Sequence, residues 1–178
     1  CALSAVVSWE LLREVPPLGA LLSDLVFGGP DAANRALLDG TERHELQHQI
    51  DAPRLKIATA VLSYLEGYAP EHQDRVNREV SAFLAEMTAE GMAPRLGLWQ
   101  LFNYLTSGRS GTYAHTAIIV FEAFDRGKIT YHREVDGRAF WEVYFRLWDL
   151  GDNRLRKEGQ EEHERLYGRE LAAPKRRD

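Results

Sequence analysis

The chain has 178 residues, 44% apolar and 28% charged. Those are ordinary globular values and enough for one self-sufficient core, which excludes a disordered chain. A formal net charge of −5 argues against a nucleic-acid binder, and the one strong basic run, residues 174–177, reads as a solvated tail.

Taken in chain order, the pattern is mainly α. Apolar residues across 5–26 are interrupted by Pro16-Pro17, which predicts two short helices. After the turn at Phe27-Gly28-Gly29-Pro30, Asp31 is placed to cap a helix running to about Ile50. Pro53 suits the first turn of the next helix, whose apolar residues continue to Gly67. A longer helix is predicted over 73–90, ended by Gly91, and another over 95–106. Residues 113–125 are apolar throughout: Ile118, Ile119 and Val120 favour a strand, Ala114 and Ala117 a helix. With 128–135 they would make a small strand pair around 117–135. Residues 137–150 carry apolar residues at helical spacing. The last stretch, 152–171, is charged and reads as a solvated surface helix.

The informative segment is Thr41-Glu42-Arg43-His44-Glu45-Leu46-Gln47-His48. On a helix, residues four apart lie one above the other, so His44 and His48 project side by side and can grip one metal ion. Two neutral imidazoles suit zinc. Glu45 then lies beside the metal, within reach of a water that the metal activates. This is the spacing H-E-x-x-H, whose mechanics are those of a metalloprotease: zinc lowers the pKa of its water to about 7, and the carboxylate acts as general base.

The wider segment resembles the zincin metallopeptidases. That family favours Thr or Val three residues before the first histidine, uncharged residues inside the motif and an apolar residue two after the second. Thr41, Leu46, Gln47 and Ile50 fill those places; Glu42 departs from the pattern. The Gly-x-x-His of metzincins is missing after His48, where residues 51–54 read Asp-Ala-Pro-Arg. The resemblance is therefore to gluzincins, in which a glutamate on a later helix completes the site. Glu66, Glu79 and Glu86 are the candidates. Glu79 is favoured because Ala82 and Phe83 follow it, as in the third-ligand helix of some gluzincins. Glu86, two turns on, is a candidate to accept a hydrogen bond from a ligand histidine. The resemblance covers about residues 38–90 and implies a two-helix zinc core inside one domain, 1–178. That domain would comprise a metal-site core over about 31–91, a C-terminal helical extension over about 136–171 and a basic tail over 172–178.

Further residues are candidates for lesser roles. Tyr113 and His115 follow the loop Ser107–Gly111 and could hold a developing oxyanion; Arg109 reads as solvent-exposed. Asp51 could orient His48 or cap the helix break. His72, His132 and His163 read as surface histidines, and Trp99, Trp141 and Trp148 as core.

Cys1 is the single cysteine, so neither an intrachain disulfide nor a cysteine-based zinc site can form. A chain opening Cys-Ala-Leu-Ser resembles a mature bacterial lipoprotein, which would tether it in the cell envelope; a chance boundary at Cys1 would leave it cytoplasmic. The combined expectation is a zinc metallopeptidase that acts on a peptide or protein, with His44, His48 and Glu79 on the metal and Glu45, His115 and Tyr113 in catalysis. The rivals are a zinc-binding but non-catalytic helical lipoprotein and an interaction domain.

Overall fold

The computed structural model describes residues 29–52, 55–106, 111–126 and 140–171. The predicted helices over 5–26, the segment 128–135, Arg109, His132 and the tail 172–178 lie outside them. The chain divides into two units, Cys1–Arg35 and Ala36–Asp178. Seven helices occur among the described residues and no strand: α1 Gly29–Asp51, α2 Thr59–Tyr64, α3 Pro70–Glu86, α4 Ala93–Thr106, α5 Thr112–Asp125, α6 Trp141–Trp148 and α7 Asp152–Tyr167. Of the described residues, only the opening turns of α1 belong to the first unit.

Helix α1 starts two residues before the expected cap, so Asp31 sits in its first turn rather than ahead of it. A carboxylate there still meets the positive end of the helix dipole. Helix α2 is shorter than expected from Pro53. The Asn77 side chain accepts from Ala58 N at 3.0 Å and donates to Lys56 O at 3.3 Å, holding that backbone extended until Thr59. Pro70 occupies the first turn of α3, which therefore begins three residues earlier than its apolar spacing suggests. The helix closes at Met87, before the left-handed turn at Gly91 (φ 62°).

The strand expected within 117–125 is instead part of α5. This helix packs against α2, α3, α4, α6 and α7, and its residues from Thr116 to Phe121 are all buried. A helix enclosed on every side needs apolar residues all round, and that erases the periodicity that would have marked it as helical. Phe83, Leu84, Ile119, Phe121, Phe124, Tyr144 and Leu147 make the centre of the core. Trp148 belongs to it at 8% exposure, while Trp99 is only half-buried. The side chain of Trp141 lies outside the described residues.

The solvated surface helix expected at 152–171 needs correction. Leu155, Gly159, Glu162 and His163 form a buried stripe on α7. Gly159 makes the contact close: a Cβ there would stand 2.8 Å from Met87 Cβ and 3.3 Å from Leu84 O. Glu162 is buried because Arg126 and Arg165 both donate to it, at 3.3 and 2.6 Å. No helix among the described residues is long and apolar enough to cross a membrane.

Candidate metal centre

Helix α1 presents His44 and His48 one turn apart, and α3 brings Glu79 to face both. His44 Nε2 lies 3.4 Å from Glu79 Oε2, and His48 Nε2 lies 3.6 Å from Glu79 Oε1. The three residues form a group that could hold a metal ion, with one donor atom from each inside a 4.8 Å span. The separations fit such an ion. Ligands at about 2.0–2.1 Å in tetrahedral array stand about 3.3 Å from one another. All three side chains are half-buried, so the group is neither sealed in the core nor splayed into solvent.

Glu86 completes the setting from the far side of His44. Its Oε2 lies 3.3 Å from His44 Nδ1. Since a carboxylate accepts, Nδ1 carries a hydrogen toward Glu86, and a metal ion would take Nε2 once the proton that Nε2 shares with Glu79 is displaced. Two glycines make room for this carboxylate. A Cβ on Gly40 would stand 3.1 Å from Glu86 Oε1, and one on Gly97 would stand 2.9 Å from it. Burial alone would lower the His44 pKa, but hydrogen bonds to Glu79 and Glu86, and then their charges, raise it to about 9. Two carboxylates flanking one imidazole thus favour positive charge between them. Phe83 closes the remaining side, its ring edge-on to His44 at 4.8 Å.

These groups open onto a cavity of about 200 Å³. Glu45 lines it and is exposed to solvent. Opposite stand Gln100 and Tyr104 of α4 and Tyr113 of α5. Gln100 donates to the Tyr104 hydroxyl, and Tyr104 stacks on Tyr113 at 4.8 Å between centroids. Tyr113, a candidate for holding the oxyanion, thus lines the same cavity as the histidines. Gln100 and Tyr104 were not singled out in the sequence. Their only signal is a four-residue spacing inside an apolar helix.

Other candidates fall elsewhere. Glu66 is exposed in the turn after α2 and is not part of the ligand group. His115 does not line the cavity; its Nδ1 lies 2.9 Å from His72 Nε2, and its ring meets Tyr64 and Tyr68. His72, read as a surface histidine, is therefore half of a histidine pair. Asp51 does not orient His48: it accepts from Gln47 and Arg169 instead. His163 is a correction of kind, having no exposed surface.

No family model, curated protein or solved structure matches this chain. The resemblance to gluzincins stands on the motif and its neighbouring residues alone.

Proposed function

We propose that this chain is a metal-dependent hydrolase of peptide bonds, with zinc the ion that the donor set suits best. The carrying observation is the facing of His44 and His48 by Glu79, at distances a small tetrahedral ion requires, on the wall of a cavity that also holds Glu45. Two imidazoles and one carboxylate leave one position of a four-coordinate site open, the arrangement of catalytic rather than structural zinc. Zinc bound there supplies Lewis acidity and a water whose pKa is lowered toward about 7.

The chain's own residues do the rest. Glu45, one residue on from His44 and turned to the cavity, takes the proton from the attacking water and returns it to the departing amine. Glu86 holds His44 in its ligating tautomer. Tyr113 stands at the edge of the cavity, where a phenol can donate to the oxygen that gains charge. A direct test measures zinc content and cleavage of a mixed peptide library. His44→Ala should remove zinc. Glu45→Gln should keep it and lower the cleavage rate by about 10²–10⁴-fold. Cleavage that survives both substitutions rejects the mechanism.

A second reading is a zinc protein without hydrolytic activity. It is favoured by one observation: among the described residues there is no strand, hence no sheet edge along which an extended peptide could pair. Full zinc occupancy with no cleavage by the parent chain would select it.

A further inference from the structure

Among its described residues, helix α1 buries little apolar side chain completely. Among the described residues its fully buried stripe is Ala36, Gly40, Arg43, Gln47 and Asp51, in which Ala36 is the one apolar side chain, with Ile50 half-buried. Leu37, Leu38 and Leu46 of the same helix are 43%, 67% and 36% exposed. Burial of apolar surface is non-directional, and with so little of it on the described part of α1 it discriminates only weakly between rotations of the helix. Yet the ligand site needs one: a turn by a single residue, about 100°, would carry both imidazoles away from Glu79.

Directional bonds single out a rotation: Arg43 donates to Thr88 at 3.3 Å, and the rest form a closed ring of hydrogen bonds. The Gln47 amide donates to Asp51 Oδ1 at 2.9 Å and to Ser81 Oγ at 3.3 Å. Ser81 Oγ lies 3.0 Å from His163 Nε2, and His163 Nδ1 lies 3.2 Å from the Arg169 carbonyl. The Arg169 guanidinium returns to Asp51 Oδ1 and closes the circuit. Directions follow from the groups. A carbonyl only accepts, so Nδ1 of His163 carries the hydrogen, Nε2 accepts, and the Ser81 hydroxyl must donate to it. That leaves Ser81 Oγ free to accept from Gln47. Gln47, Asp51, Ser81 and His163 are each at most 1% exposed. Ser81 and His163 have the orientation of a nucleophile and its base, but with no exposed surface they meet no substrate. Their place in the chain is what matters: Gln47 precedes His48, and Ser81 lies two residues beyond Glu79.

We infer that the ring Gln47–Ser81–His163–Arg169–Asp51 is the positioning device of the metal centre, setting the rotation of α1 that turns His44 and His48 toward Glu79. Directional bonds in a low-dielectric interior specify one geometry where apolar contact specifies none. The inference rests on the metal-centre reading. It makes the segment after α7, through Arg169, part of the support for ligands more than a hundred residues earlier in the chain.

The test uses the full chain and two probes, zinc affinity by chelator competition and the visible d–d absorption of the Co²⁺-loaded protein. Ser81→Ala should fold, lower zinc affinity at least tenfold and change the Co²⁺ spectrum. Leu147→Ala, in the core on α6, should lower the melting temperature at least as much and change neither metal readout. If Ser81→Ala does not fold, Gln47→Met, of similar shape, is read in the same way. A parent that binds both ions, with a ring variant that binds them equally and with the same spectrum, overturns the ring's role while leaving the metal centre intact. A parent that takes up neither ion overturns the metal-centre reading and this inference with it.

Discussion

Glu86 sets its carboxylate against Nδ1 of His44, 3.3 Å away, from a slot whose walls are Gly40 on α1 and Gly97 on α4. The charge and the space can be tested separately. Glu86→Gln keeps the shape and loses the charge; if the proposed zinc site holds, it should weaken zinc binding by about 10–100-fold, the usual effect of removing a partner that orients a ligand histidine.

Gly97→Ala should do the same by steric means. The added methyl would come within 2.9 Å of Glu86 Oε1 and 3.1 Å of Met87 Cε. Both are ends of flexible side chains, so the carboxylate is expected to move rather than the helix. Alanine also gains up to about 1 kcal/mol of helix propensity over glycine. Thermal unfolding should therefore change little while chelator competition shows weaker zinc binding. Unchanged affinity would mean the slot does not hold the carboxylate.

Gly159 is a contrasting case. A Cβ there meets Met87 Cβ at 2.8 Å and the Leu84 carbonyl at 3.3 Å, both close to the backbone of α3. Neither can swing away. Overpacking of this kind costs about 1–3 kcal/mol, more than the roughly 1 kcal/mol of propensity that alanine returns. With both contacts close to backbone, Gly159→Ala should lower the urea midpoint by an amount equivalent to up to about 2 kcal/mol. An unchanged or higher midpoint would show that α7 can back away from α3.

How much of this was legible beforehand depends on where the signal resides. The facing of His44 and His48 follows from a spacing of four, which any helix enforces. The favouring of Glu79 over Glu66 rested on its neighbours Ala82 and Phe83, and the fold brings Glu79 to the histidines and leaves Glu66 exposed in a turn. The buried face of α7 was not readable: a stripe of Leu155, Gly159, Glu162 and His163 is mostly polar, and only tertiary partners such as Arg126 and Ser81 make it interior. The late start of α2 was hidden for a similar reason, because the clamp that delays it comes from Asn77 on another helix. In α5 the failure was opposite in kind, since burial on all sides from Thr116 to Phe121 removes the contrast from which periodicity is read.

The His72–His115 pair joins the first turn of α3 to α5, the helix that also carries Tyr113. Burial, and then the charge of His72, lower the His115 pKa. Its folded pKa lies below its unfolded one, so the pair's stabilisation is present above about pH 6.5 and fades as acid is added. His72→Ala should cost about 1 kcal/mol at pH 7.5, the worth of one hydrogen bond, and should raise the His115 pKa by removing its like-charged neighbour. Imidazole proton chemical shifts followed between pH 5 and 8 would show this directly. A His115 titration that does not move in the variant would mean the two rings do not share a proton.

His163 gives the larger acid sensitivity, because none of it is exposed. Burial lowers its pKa to about 4; the Arg169 carbonyl and the Asp51 charge oppose that, and the charges of Arg169 and Arg43 add to it. An unfolded histidine titrates near 6.5. Between those values the unfolded chain binds a proton that the folded chain refuses, so stability is fully present above about pH 6.5 and declines as pH falls through 4. The separation corresponds to roughly 3 kcal/mol at the acid end. His163→Gln, which cannot titrate, should be less stable at pH 7 but should lose less between pH 7 and 4. Urea unfolding of the metal-free proteins at several pH values isolates the effect, since other carboxylates contribute equally to parent and variant. If the two stability curves run parallel, the buried imidazole is not the group that acid attacks, and the proton-refusing ring around Ser81 would have to be redrawn.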